Sequence, residues 1–208
     1  MNWALLPKAS KAVFPVIAAH CDADGDSFPG EEIIAALSGR TPKTVRTGIR
    51  ELNIPGFNWK YYSARRGSRS KHFLVVFPPK NEKGRSFFFY RGIIDAGCWA
   101  MLTPSAQAAY PVFRYFARYD ADEDETLNNS ADFPDCFAAR HFEICNVDHE
   151  QIAQYAGLDR HTVPFAIRDL IRNALLDKLN DQRNAYRVYL IPRATCLNRE
   201  PHERQENT

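Results

Sequence analysis

The chain has 208 residues, 45% hydrophobic and 25% charged, which is an ordinary globular composition with enough apolar mass for one large or two modest domains. No run of about 18 apolar residues occurs, the opening MNWALLPKAS lacks the basic-then-apolar layout of a secretory signal, and the five cysteines are scattered without a CxxC. No membrane span is expected, and the cysteine pattern favours free thiols in a reducing cytosol over a disulfide framework.

The net charge of +2 hides an asymmetry: residues 1–98 carry 15 Lys/Arg against 8 Asp/Glu, and residues 99–208 carry 12 against 17. Between Arg40 and Lys71 nine bases face a single acid, Glu51. Such a block points to a polyanionic partner, with a solvated basic surface as the plainer alternative.

In chain order, Ser10 to about Cys21 reads as an amphipathic helix with Val13, Val16, Ile17 and His20 near one stripe. Pro15 calls for a kink or a late start. DADGDSFP is a turn with a short extended piece. Glu31–Leu37 is a second helix, closed at Gly39, a residue able to take the left-handed conformation. Thr41 is placed to cap a third helix with Pro42 at its first position. Along that helix Val45, Ile49 and Leu52 share one stripe. At ~100° per residue, Lys43, Arg46, Thr47 and Arg50 fall on the opposite side. FNWKYYSARR and KHFLVVF read as strands joined through the basic tip RRGSRSK. RSFFFYRGII reads as a strand and connector whose aromatic run, if exposed, would dock on the partner domain or another chain.

The pattern then recurs. WALLPKASKAVFPV (3–16) returns as WAMLTPSAQAAYPV (99–112) at an offset of 96. IIAALSGRTPKTVRTGIREL (33–52) is echoed by QIAQYAGLDRHTVPFAIRDL (151–170) at an offset of 118. The offset grows because the second copy holds about twenty extra residues, roughly 125–146. Ala106–Tyr119 is the second copy's first helix and HFEIC a short strand. Asp148 with Gln151 forms a capping-box-like start. A later helix begins near Thr162 with Pro164 in its first turn, and LLDKL and AYRVYLI flank the tip NDQRN. Two similar domains are predicted, 1–79 and 99–193, joined by 80–98 and followed by a polar tail, 194–208, expected to be disordered.

Helix, helix, tight turn, helix and hairpin, twice over, resembles the winged helix-turn-helix superfamily. The carrying stretches are IIAALSGRTPKTVRTGIREL and IAQYAGLDRHTVPFAIRDL, with the lead-ins DGDSFPGEE and WAMLTPSAQAAYPV. The chain is similar to GntR- and MarR-type bacterial regulators and, in its tandem layout, to plasmid replication initiators with two winged domains. The resemblance implies a mostly α fold with small β-hairpin wings (α+β). It also implies a third helix in the major groove and a wing on the backbone or minor groove. Lys43, Thr44, Arg46, Thr47 and Arg50 would then meet bases and phosphates. Arg65, Arg66, Arg69 and Lys71 would hold phosphates or reach into a narrow minor groove.

The second copy departs from this pattern, with Pro164-Phe165 where the first has Arg46-Thr47. Phe165, outward by the same geometry, either touches thymine methyls, supported by Arg160, His161, Arg168 and Arg183, or anchors a protein contact as exposed aromatics often do. With seven bases to four acids over 152–193, the first domain is the safer DNA reader.

Other constellations carry less. Cys136, His141, Cys145 and His149 match no standard zinc spacing. Asp22, Asp24 and Asp26 imitate a calcium loop without its glycine or closing glutamate. Trp3 and Trp99, each just before a helix, read as core residues rather than stacking platforms. No Gly-Lys phosphate loop, HExxH or GxSxG is present, and no acid/base set accompanies Tyr61, Tyr62 or Tyr90. The expectation is a cytoplasmic, nucleoid-associated protein that binds double-stranded DNA sequence-specifically and regulates transcription, with no enzymatic activity, cofactor, metal or membrane partner. A plasmid or phage replication initiator and a winged-helix protein-interaction scaffold are the alternatives. A homodimer and a protein partner for the C-terminal domain stay open.

Overall fold

In the computed structural model the described residues are 3–52, 59–63, 71–75, 89–118, 142–179 and 184–189. A 3-10 turn, Trp3–Leu5, leads into α1 (Lys8–Ala19), which starts two residues before the expected Ser10 and carries Pro15 within it. β1 (Asp26–Ser27), α2 (Glu31–Ser38), α3 (Pro42–Glu51), β2 (Trp59–Ser63) and β3 (Lys71–Val75) complete the first half. Residues 85–88 of the expected strand lie outside the described residues, and α4 (Gly92–Asp95) and α5 (Cys98–Met101) follow. Then come α6 (Pro104–Phe116), β4 (Phe142–Asn146), α7 (His149–Ala156), α8 (Val163–Arg172), β5 (Leu176–Lys178) and β6 (Ala185–Tyr189). The architecture is mostly helical with small antiparallel sheets. Among the described residues no helix is long and apolar enough to cross a membrane.

Local chemistry accounts for the element ends. The Thr41 hydroxyl accepts the Thr44 N–H, and the Thr103 hydroxyl accepts the Ala106 N–H, each ahead of a proline at the helix start. Asp148 and Gln151 form both bonds of the capping box. The tight turns after α2 and α7 are made by Gly39 and Gly157 at φ 66° and 61°, where L side chains are disfavoured. The aspartate turn is held by the Asp22 side chain, whose Oδ1 accepts the N–H groups of Asp24 and Asp26 at 3.0 and 2.9 Å.

Two three-stranded sheets have matching connectivity, β1-β3-β2 and β4-β6-β5. β4 occupies in its sheet the place of β1 in the other. β4 lies within the stretch 125–146 expected to be extra, yet holds the place of β1, so 142–146 belong to the repeated pattern; 125–141 lie outside the described residues.

The two halves do not have separate interiors. One cluster of buried apolar side chains runs from Trp3 through Val13, Ile34 and Val45 to Trp99, Phe113, Ile152 and Ile167. At its centre α1 packs on α6. Every residue from Ser10 to Ile17 and from Ala106 to Arg114 is buried, as befits helices enclosed on all sides.

The packing is reciprocal. Trp3 Nε1 donates to the Ala108 carbonyl and Trp99 Nε1 to the Ala12 carbonyl, both at 2.9 Å; the pairs are equivalent by the offset of 96. The Gly39 turn lies against the Ala100 carbonyl, and the equivalent Gly157 turn against that of Ala4, equivalent to Ala100. When i meets j′ and i′ meets j, the two copies are related by a two-fold operation. The chain is thus built like a dimer in which each half's leading segment lies on the other half's turn.

Equivalent side chains stitch this seam. Gln107 Nε2 donates to Ser38 O at 2.9 Å and to Trp99 O at 2.7 Å, closing the end of α2. Lys11, its counterpart, donates through Nζ to Ala156 O at 2.7 Å and to Ala4 O at 3.2 Å, closing the end of α7. These C-terminal carbonyls have no partner within their own helices.

Burial, with Lys8 nearby, lowers the Lys11 pKa from 10.5 to about 8. Because the folded value lies below the unfolded one, the unfolded chain holds more protons between these limits, and stability rises with pH across them. Relative to Lys11→Met, the wild-type protein should gain up to about 3 kcal/mol from pH 8 to 10.5. Urea unfolding at pH 7.5 and 10.5 checks this, and a constant difference between the two proteins would contradict the burial of a charged amine.

Candidate nucleic-acid interface

Helix α3 is fixed from beneath. Val45, Ile49 and Leu52 are buried, and α3 packs on α1 and α2. Gly48 brings α3 close to α1, since a Cβ there would meet Val13 Cγ2 at 2.6 Å and the Ala9 carbonyl oxygen at 2.8 Å. Ser10 Oγ donates to Gly48 O across the same contact, at 2.9 Å.

With that face committed, the opposite one is set. Lys43, Arg46 and Arg50 are exposed, and Thr44 and Thr47 half-buried. Thr44 is tied to the cap, its hydroxyl 3.0 Å from that of Thr41. Arg46 is not a free cation: its guanidinium pairs with Glu31 Oε1 at 3.0 Å, in the first turn of α2. A carboxylate there suits the positive end of the helix dipole. The pair holds Arg46 in place while its side chain stays 61% exposed. Lys43 and Arg50 have no acid partner among the described residues.

Among the described bases of the Arg40–Lys71 block, Arg40 turns inward. Arg40 donates to Leu102 O at 3.0 Å and to Gln107 Oε1, within the seam between the halves. Charge counting could not separate this structural arginine from the outward ones. Its position directly after the turn glycine was the only available signal.

The hairpin pairs β2 with β3 from Trp59↔Val75 to Ser63↔Lys71. Lys71 thus stands at the last pair before the tip, with its side chain outside the described set. Arg65, Arg66 and Arg69 lie outside the described residues, as does Arg183.

In the second half α8 starts three positions later than α3 by the offset of 118, with Pro164 in its first turn as expected. Arg160 and His161 therefore sit in the preceding turn, both exposed, where Asp159 Oδ1 accepts the His161 N–H at 2.7 Å. Phe165 is 64% exposed. The Arg168 guanidinium lies over its ring, 4.6 Å from the centroid, a cation–π contact.

Of the four residues of the apparent metal cluster, Cys145 and His149 lie among the described residues. Cys136 and His141 are outside the described residues. Burial pushes the Cys145 thiol up to about 12, away from thiolate. His149 Nε2 lies 3.4 Å from the Tyr186 hydroxyl. Among the described residues no group of three potential ligands comes together. Trp3 and Trp99 are core residues, and Phe89 of the aromatic run packs edge-on against Trp99 and Tyr110.

Residues 4–53, from the 3-10 turn through α3, match a family profile described as a helix-turn-helix domain. No curated protein and no solved structure matches the chain. The chain therefore carries an N-terminal helix-turn-helix domain, and such a domain implies a DNA partner.

Proposed function

We propose that the protein binds double-stranded DNA sequence-specifically through α3 and the hairpin β2–β3, and that it regulates transcription. The observation that carries this reading is the outward face of α3, with Lys43, Arg46 and Arg50 exposed on a helix whose other face is core. Phosphate contacts supply sequence-independent affinity, and groups that reach base edges supply selectivity. In sequence, Arg65, Arg66, Arg69 and Lys71 between and at the start of the paired strands add four bases that the same reading assigns to phosphates.

We read the second half as a further winged helix-turn-helix domain, because its element order and sheet connectivity repeat those of the first. The reciprocal seam holds both third helices in one body. A single chain thus offers the pair of readers that a regulator dimer offers from two, suited to an imperfect inverted repeat. Replication initiation at origin repeats is the second reading, favoured by the tandem arrangement in one chain.

Selection of duplexes from a random pool by the full chain, with the mass of the complex measured, tests the reading. One chain per recovered site is expected, and failure to bind any duplex at low salt would sink the proposal in favour of a protein-interaction scaffold. Within a recovered site, Arg50→Ala should reduce discrimination at one base position by about 1–3 kcal/mol. Competition gel shifts with single-base variants measure this, and an unaltered base profile would remove Arg50 from the reading face.

A further inference from the structure

We propose that α8 reads DNA directly and selects a guanine next to a pyrimidine carrying a C5 methyl group, with the Phe165 ring on the methyl and the Arg168 guanidinium on guanine O6 and N7. The inference rests on the reading of the chain as a duplex-DNA binder and assigns the second half a share of that recognition.

Position comes first. Phe165 and Arg168 are equivalent by the offset of 118 to Thr47 and Arg50, and lie outward of a buried stripe, Val163, Ile167 and Leu170. Each half therefore presents an arginine three residues after a side chain able to touch a thymine methyl: the threonine methyl in one, an aromatic ring in the other.

Chemistry favours DNA over a protein partner. At ~100° per residue, Arg168 and Arg172 fall within about 60° of Phe165 on the helix, and both are exposed. The aromatic thus stands in a cationic stripe rather than an apolar patch. The acid on the same helix, Asp169, is engaged elsewhere: Oδ2 accepts the Thr103 N–H at 2.8 Å and Oδ1 the Asn173 amide at 3.1 Å. Among the described residues no carboxylate pairs with Arg168.

The geometry sets the order of the two contacts. The guanidinium lies 4.6 Å from the ring centroid, comparable to the ~3.4 Å rise between neighbouring base pairs. Ring and guanidinium can therefore meet adjacent pairs, one group each. Stacking on the ring also orients the guanidinium before DNA arrives, and a planar fork held in this way suits the paired acceptors of guanine.

Thymine and 5-methylcytosine carry the same methyl, and separate probe pairs distinguish them. Duplexes recovered by selection with the full chain are remade with deoxyuridine for thymine beside the guanine, and with cytosine or 5-methylcytosine at that place. The wild-type protein should bind the thymine duplex about fourfold more tightly than its deoxyuridine twin, the loss expected for one methyl-sized apolar contact. If 5-methylcytosine is equally read, it should exceed cytosine by the same factor; a preference confined to thymine identifies thymine as the source. Phe165→Ala should erase the methyl preference, and Arg168→Ala should cut discrimination for guanine about five- to 150-fold. Both variants alter exposed side chains, and circular dichroism confirms folding. Indifference of the wild-type protein to the methyl overturns the inference. So does a Phe165→Ala variant with unchanged DNA binding and altered oligomer mass, which marks a protein interface instead. If no duplex is bound, the proposed function itself falls; if only Arg50→Ala changes base preference, the first half alone is the reader.

Discussion

Replacing Gly39 or Gly157 with alanine is expected to destabilise the protein by about 2–5 kcal/mol, from a left-handed penalty of about 1–2 and an overpacking cost of about 1–3. Both glycines have positive φ, 66° and 61°, and an added Cβ would stand 2.0 Å from the Ala100 carbonyl oxygen or 2.2 Å from that of Ala4. Backbone atoms cannot yield as a flexible side chain would, so the leading segment of the opposite half must lift away. Gly97 is the control. Its φ is 74°, but nothing lies within 4 Å of the position its Cβ would take, and Gly97→Ala should cost only the conformational part, about 1–2 kcal/mol. Urea unfolding of the three variants separates strain from collision. Equal losses at Gly39 and Gly97 would contradict the close approach of the two halves.

Trp99→Ala should cost about 3–5 kcal/mol, the range for removing a large aromatic from a core. Trp99 is fully buried, and its indole donates to Ala12 O at 2.9 Å. Trp99→Phe keeps most of the apolar area and removes the donor, leaving the Ala12 carbonyl without the indole, at about 1–3 kcal/mol. Trp3, at 9% exposure, should lose less than Trp99 when truncated. Because these residues belong to an interior common to both halves, each variant should unfold in one transition at a lower midpoint. Circular dichroism and tryptophan fluorescence should give coincident curves; two resolved transitions would show that the halves fold independently.

Much of the first half was legible in the sequence. The Val45–Ile49–Leu52 stripe, the Thr41 cap, Pro42 at the helix start and the Gly39 turn all depend on residues within one or two turns, and each is found where expected. Asp148–Gln151 and Pro164 were legible for the same reason. The outward placement of Lys43, Arg46 and Arg50 followed from that stripe, since fixing one face of a helix fixes the other. Less was legible where partners are distant. Periodicity places Arg46 on the outward face but does not show its pair with Glu31; Arg40, one of nine bases in a run, faces inward. The short helices α4 and α5 within and after the expected connector had no periodic signal of their own.

The sequence by itself determined the repeated elements, their caps and turns, and the basic face of α3, because those depend on periodicity and on the chemistry of near neighbours. Only the tertiary structure decided that the two copies share one interior, that Trp3 and Trp99 cross to opposite halves, and that Lys11 and Gln107 close the helix ends of the other copy. The acceptors in those contacts are main-chain carbonyls, which every residue carries. Nothing in the identity of Ala12, Ala108, Ser38 or Ala156 marks them as partners until folding brings a donor within reach.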